Sequence, residues 1–313
     1  MPIFSIVIPL YNKEKEIRQT LSSVFAQTFN DFEVIVINDG STDESEKQTL
    51  SFKDQRLKYF VTENRGISAA RNLGIEKASA SLISFLDADD YWYPNHLETL
   101  YALHRNYPQA GIVASNYEFL LPDNTVKKTI FKNIPNGFSG IVENVFAISM
   151  NDRALWTTAV VVKKEVFEAV GNFDNSITLG AGEDTDMWIR IALKYPVAYT
   201  KKVTTQYRLG AQNRVSHSQT LNRKFSRLDK FKAEEAYNKP LKKYLDMYRA
   251  SYAFKHKLAG DHKTFRFYYT AIDTKNLSAK TRMLLWQPAF VLRLLHYLKT
   301  HLRYKKVYID IYN

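Results

Sequence analysis

Apolar positions in the first 90 residues fall into short runs separated by polar stretches with helical spacing. Phe4-Ser5-Ile6-Val7-Ile8-Pro9-Leu10 reads as a strand, and the stretch from Lys13 to about Gln27 reads as a helix with Ile17, Leu21 and Val24 on one face. Glu33-Val34-Ile35-Val36-Ile37-Asn38 is a second, β-branched strand, stopped by the turn and cap residues Asp39-Gly40-Ser41-Thr42-Asp43. Leu57 to Val61 predicts a third strand and Ser68 to Ala78 a small-residue helix. Ser81 to Leu86 then forms a buried strand that ends in Asp87-Ala88-Asp89-Asp90. Strand alternating with helix is the pattern of a mainly parallel sheet covered by helices.

Further along, strands are expected at Gly111 to Tyr117 and Thr157 to Val162, and a helix at Lys164 to Val170. A glycine turn, Gly180-Ala181-Gly182, leads into Glu183-Asp184 and a helix through about Tyr195. Beyond Leu221 the pattern is helical. The expected organisation is therefore a domain over 1–220 and a basic helical region over 221–313.

Two predicted strands run directly into aspartates. Ligands of open α/β sheets bind in the crevice beyond the carboxyl ends of the strands, so Asp39 and the Asp87 cluster are expected to face one nucleotide pocket. The oxygens of Asp87, Asp89 and Asp90 suit Mg²⁺ or Mn²⁺ held jointly with a diphosphate; the alternative is that they cap the helix entering at Asn95. Asp39 is suited to accept hydrogen bonds from a uracil ring or a ribose hydroxyl, and otherwise is an ordinary turn aspartate. Asn64 to Asn72 is a glycine turn entering a helix, where backbone N–H groups and Arg71 would meet phosphate; a solvated surface arginine is the alternative. Glu183 and Asp184 open a helix whose positive end favours ionised carboxylates, which makes Asp184 the candidate general base, or simply a cap.

As a set, these segments resemble the family 2 inverting glycosyltransferases. The motifs are Ser5 to Asn12, Val36 to Asp43, Asn64 to Asn72, Phe85 to Asp90, Gly171-Asn172-Phe173-Asp174 and Glu183-Asp184, in order over roughly residues 4 to 195. The resemblance implies a Rossmann-like, type A glycosyltransferase fold with a helical appendage. It places Pro9, Tyr11, Asp39 and Arg71 at the nucleotide, Asp87 near the ribose or sugar, Asp89 on the metal and Asp184 at the acceptor as base, with Glu183 beside it. Many relatives close a loop on the diphosphate after a Tyr-Arg pair. Here Tyr207-Arg208 is followed by a shifted loop in which Arg214 is a candidate phosphate clamp and His217 a candidate metal ligand, or a solvated histidine.

The implied partners are a nucleotide-sugar donor, most simply a UDP-sugar, and a hydroxyl on a lipid-linked or surface glycan acceptor. Two rivals use the same features: a nucleotidyltransferase, which lacks its expected glycine-rich, lysine-bearing loop here, and a non-catalytic nucleotide-sugar-binding scaffold. Whether two copies pair as a homodimer is left open by the sequence.

Composition adds location. There is no cysteine among 313 residues, which excludes disulfides, thiolate catalysis and cysteine-held metals. The start does not read as a signal peptide, and no apolar run is long enough to span a bilayer, so a cytoplasmic location is expected. The net charge of +12 is uneven: Leu221 to Asn313 carries 21 Lys and Arg against 7 Asp and Glu, and the rest 23 against 25. Past Pro288, the positions Val291, Leu294, Leu295, Leu298 and Leu302 share a helical face, with Arg293, Lys299, Arg303 and Tyr304-Lys305-Lys306 around them. Such a helix either rests peripherally on an anionic membrane, at the inner face of the plasma membrane, or packs on the rest of the protein. No nucleic-acid-binding signature is present, and no nucleic-acid partner is expected.

Overall fold

The structure, a computed structural model, describes residues 1–214 and 218–304, with side chains through Leu298. The chain divides into two compact units, Met1–His217 and Ser218–Asn313.

The first unit is built on β1 (Phe4–Leu10), α1 (Ile17–Phe25), β2 (Phe32–Asp39), α2 (Ser45–Leu50), β3 (Leu57–Thr62), α3 (Ile67–Lys77) and β4 (Leu82–Phe85). It continues through β5 (Tyr91–Trp92), α4 (His96–Asn106), β6 (Ile112–Leu120), β7 (Val126–Lys128), β8 (Ser139–Val142) and α5 (Val145–Ile148). β9 (Val160–Lys163), α6 (Lys164–Val170), α7 (Glu183–Lys194) and β10 (Val197–Arg208) complete it. The main sheet runs β3-β2-β1-β4-β9-β6-β10-β5. β3, β2, β1 and β4 are mutually parallel, as short β-branched strands joined by helical crossovers should be. β9 then pairs antiparallel with both β4 and β6, making the sheet mixed.

β1 and β2 are buried along their whole length, which explains their continuous apolar runs. Their side chains pack with Ile17, Leu21 and Val24 of α1 and with Trp92, Leu97, Leu100 and Leu103. The predicted helices at 13–27, 68–78 and 164–170 appear as α1, α3 and α6, with α1 shortened at both ends. β10, twelve residues long, was not expected. Its Val197-Ala198-Tyr199-Thr200 start alternates too weakly to declare itself, and it is ordered by pairing with β6, β8 and β5.

The second unit contains α8 (Lys232–Tyr237), α9 (Lys239–Ala259), α10 (His262–Thr270), α11 (Ala279–Trp286) and α12 (Ala289–Tyr304). Leu241, Leu245, Ala250, Ala253 and Phe254 of α9 are buried. Beside them, the buried pair Asp246 and Arg249 meets at 3.0 Å and is completed by Lys242, Glu235 and Asn276. The stripe expected on α12 is split. Leu292 is buried and Val291 and Leu295 partly so, while Leu294 and Leu298 are exposed together with Phe290 and Tyr297. The side chains of Lys299, Leu302 and Arg303, and all of Lys305 and Lys306, lie outside the described residues. No described helix is long and apolar enough to cross a membrane.

Candidate active site

The site is assembled where β1, β2 and β4 end. The turn after β1 is knitted to the turn after β2: Asn12 N–H donates to Ser41 Oγ at 3.0 Å, Thr42 N–H to Asn12 Oδ1 at 2.8 Å, and Glu14 N–H to Asp43 Oδ2 at 3.0 Å. Pro9 is buried opposite Ile37, and Tyr11 stands exposed at the strand end. Asp39, at the end of β2, receives the backbone N–H groups of Arg65 and Gly66, each at 2.8 Å, so it fixes the turn that starts α3. Gly40 allows this approach. Its φ of +75° is left-handed, and a Cβ there would lie 2.9 Å from the Asn64 nitrogen.

Arg71 is not a solvated surface residue. It is 2% exposed, donating to Asp87 Oδ1 at 2.9 Å and to Glu183 Oε1 at 3.2 Å. Burial opposes its charge, but Asp87, Glu183 and Asp184 outweigh that effect and raise its pKa. Desolvation raises the pKa of Asp87 and of Glu183 from the ordinary value; neighbouring carboxylates add to this and Arg71 opposes it. Glu183 is itself 4% exposed, so it is a partner of Arg71 within the fold.

Asp87 to Asp90 do not cap the helix at Asn95, which has no side-chain cap. Asp90 is fully buried and accepts from Thr158 Oγ1 at 2.5 Å and Arg208 N–H at 3.1 Å. Burial, with Asp89 and Asp87 nearby, raises its pKa well above the ordinary value. Asp89 receives the ammonium of Lys13 at 2.7 Å. Arg214 lies over the Tyr207 ring, 5.0 Å from its centroid, and donates to the Tyr207 hydroxyl and the Leu209 carbonyl. His217 lies outside the described residues.

Asp184 stands in the first turn of α7, whose entry is the left-handed Gly182, φ 104°. Its Oδ1 accepts from Thr185 N–H at 2.7 Å and its Oδ2 from Arg153 Nη1 at 3.2 Å. Arg153 also covers the Trp156 ring, 4.8 Å from its centroid, and Trp156 stacks on Tyr117 and meets Tyr207 edge-on. Sequence reasoning missed Lys13, Arg153 and Trp156. Lys13 adjoins the Tyr11-Asn12 motif, a usable signal; nothing in the periodicity separates Trp156 from a core aromatic.

Mg²⁺ and Mn²⁺ favour about six oxygen ligands. Among the described residues, no group of three His, Asp or Glu side chains converges as a metal cage. Asp87 is committed to Arg71, Asp90 is buried among its donors, and Asp89 already holds an ammonium. Without a diphosphate to share the coordination, these residues do not form a cage for a divalent ion.

A parallel strand-helix series with its polar residues gathered at the strand ends, continued through an antiparallel partner, is the mixed α/β architecture of the type A glycosyltransferases. The profile of Glycosyl transferase family 2 matches residues 5–171, and the chain belongs to that family. It is 28% identical to an uncharacterised glycosyltransferase of Rickettsia typhi over 233 residues, covering 74% of this chain and 70% of the relative. It is 30% identical over 218 residues to the validoxylamine A glucosyltransferase of Streptomyces hygroscopicus subsp. limoneus, covering 61% of this chain and 48% of that enzyme. Another relative, a Rickettsia bellii glycosyltransferase, is longer: the 34% identical match spans 67% of this chain but 29% of that protein. The fold is similar to S. aureus TarS residues 1–349, with a TM-score of 0.57 at 18% identity over 98% of this chain and 92% of the other. The same TarS fragment in complex with UDP-GlcNAc gives a TM-score of 0.59 at 17% identity, again covering 98% and 92%.

Proposed function

We propose that this protein is an inverting glycosyltransferase that moves a sugar from a nucleotide-sugar, most simply a UDP-sugar, to a hydroxyl of a lipid-linked or surface glycan. The observation that carries the reading is the contact chain Asp87, Arg71, Glu183, which joins the strand-end crevice to the start of α7, where Asp184 lies. One pocket can then hold the donor at Pro9, Tyr11, Asp39 and Asp87 and the acceptor beside Asp184. The TarS complex with UDP-GlcNAc supports the choice of donor class by likeness of fold.

In this reading Asp184 takes the proton of the acceptor hydroxyl as its oxygen attacks the anomeric carbon. The bond from that carbon to the diphosphate breaks, the electron pair leaves with the diphosphate, and the configuration inverts. Arg153 must release Asp184 Oδ2 for this step. Glu183 and Asp87 hold Arg71 in place, and Arg214 and Lys13 supply positive charge near the leaving group.

We also assign the second unit a role at an anionic membrane surface, with the protein on the cytoplasmic side. Support comes from its surplus of basic residues and from Trp286, Phe290, Leu294 and Tyr297, all more than half exposed.

The deciding experiment measures nucleoside diphosphate release from UDP-, GDP- and dTDP-sugars with Mn²⁺, Mg²⁺ or chelator. Release from one donor is expected. Silence across the panel, together with no calorimetric binding of UDP, overturns the reading in favour of a scaffold; pyrophosphate formation from a sugar phosphate and a nucleoside triphosphate favours a nucleotidyltransferase.

A further inference from the structure

Lysine usually extends its ammonium to water. Lys13 does not: its side chain is 10% exposed, and the ammonium lies 2.7 Å from Asp89 Oδ2 and 2.6 Å from the Gln212 carbonyl oxygen. A covered ammonium needs an anion and further acceptors, and it has both here. Gln212 is clasped to the same corner by its N–H, which donates to Glu16 Oε1 at 3.1 Å, and by its Oε1, which accepts from Lys15 Nζ at 3.1 Å. Asn213 Nδ2 donates to the Asn12 carbonyl at 3.3 Å. The segment that carries Arg214 is therefore tied to the turn after β1, and Lys13 joins that tie to Asp89.

We propose that Lys13 is the resident cation of the Asp89 carboxylate. In the donor-free protein it compensates Asp89 and pins segment 209–214 through Gln212; when a diphosphate enters, the ammonium turns to it. Lys13 thus places protein charge at the diphosphate, on the carboxylate that a divalent ion would otherwise use. Two cations cannot share one carboxylate oxygen at such distances without strong repulsion, so Lys13 and a divalent ion compete for Asp89. The diphosphate half rests on the nucleotide-sugar reading above; the competition half does not.

The test titrates Mn²⁺ into the donor-free, full-length protein, followed by electron paramagnetic resonance, for wild type, Lys13→Met, Lys13→Gln and Lys13→Met combined with Asp89→Asn. Removing the ammonium is expected to tighten Mn²⁺ binding about tenfold at the freed carboxylate, and the second substitution to abolish the gain. Lys13→Arg should behave as wild type. Calorimetry of UDP in chelator should show Lys13→Met weakened about tenfold relative to wild type, with Mn²⁺ restoring it, since a tenfold change is a resolvable affinity step. Unchanged Mn²⁺ affinity in both Lys13→Met and Lys13→Gln overturns the proposal. If wild type binds no UDP under any condition, the nucleotide-sugar reading and the diphosphate half fall together, and the Mn²⁺ comparison still decides the competition half.

Discussion

The guanidinium of Arg71 donates to Asp87 at 2.9 Å across 16 residues of sequence, and with its other nitrogen it reaches Glu183 at 3.2 Å, 112 residues away. A single buried cation thus holds two carboxylates that burial alone would push towards the neutral form. Removing it leaves the buried Glu183 and the partly buried Asp87 without compensation. Arg71→Ala is expected to destabilise the first unit by about 3–5 kcal/mol, and adding Glu183→Gln to recover part of that loss. Urea unfolding of the single and double variants checks this; strict additivity would show that the contact carries no coupling.

The roles proposed for Asp184 and Asp89 separate by measurement. Asp184→Asn keeps the shape of the side chain but removes its capacity as a base, so transfer should fall by about 10²–10⁴-fold while nucleotide binding is spared. Asp89→Ala should weaken nucleotide binding as well, because Lys13 and segment 209–214 lose their anchor. Transfer rates with UDP calorimetry give the comparison, and full activity in Asp184→Asn would remove it from the mechanism.

Acid sensitivity is expected at Glu33, far from the chemistry. Burial works to raise its pKa, but bonds from Lys58, Ser5 and Ser79 outweigh that and lower it to about 2 from 4.5. A carboxylate whose folded pKa is depressed stabilises above the unfolded value, and that stability is lost as pH falls from about 4.5 towards 2. The contribution is on the order of 3 kcal/mol. Glu33→Gln should therefore be less stable than wild type at pH 7, and the difference between the two should shrink across that window in denaturant titrations.

Gly74 makes a sharper packing test. Alanine normally favours a helix interior over glycine by about 1 kcal/mol. In α3, however, a Cβ on Gly74 would sit 2.2 Å from Val7 Cγ1 in β1. Gly74→Ala should therefore destabilise by about 1–3 kcal/mol, with Val7→Ala relieving part of the strain. A stabilised Gly74→Ala in thermal unfolding would contradict the close approach of α3 to the sheet.

The exposed apolar face of α12 makes the membrane assignment testable. The double change Phe290→Glu with Leu294→Glu should abolish co-flotation with vesicles containing phosphatidylglycerol and leave nucleotide binding intact. Equal flotation of wild type on neutral phosphatidylcholine vesicles would argue against a charge-assisted surface.

Much of the fold was legible in the chain because local rules sufficed for it. Continuous apolar runs such as Val34 to Ile37 mark strands buried on both faces, and the polar clusters after them mark the strand ends. The ordered motifs around Asp39, Asp87 and Glu183 pointed to the family that the comparisons then showed. Sequence alone could not reveal which charges meet. In the sequence Arg71 reads as a phosphate ligand, with a solvated arginine as the alternative, and Lys13 as an ordinary residue in a helix start; only the approach of Glu183 to the one and of Asp89 and Gln212 to the other decides their state. Likewise β10 exists because β6, β8 and β5 supply its partners. Hydrophobic periodicity is a property of neighbours along the chain, so it travels in the sequence. The pairing of charges depends on burial and on contacts between distant residues, and both come into being only when the chain has folded.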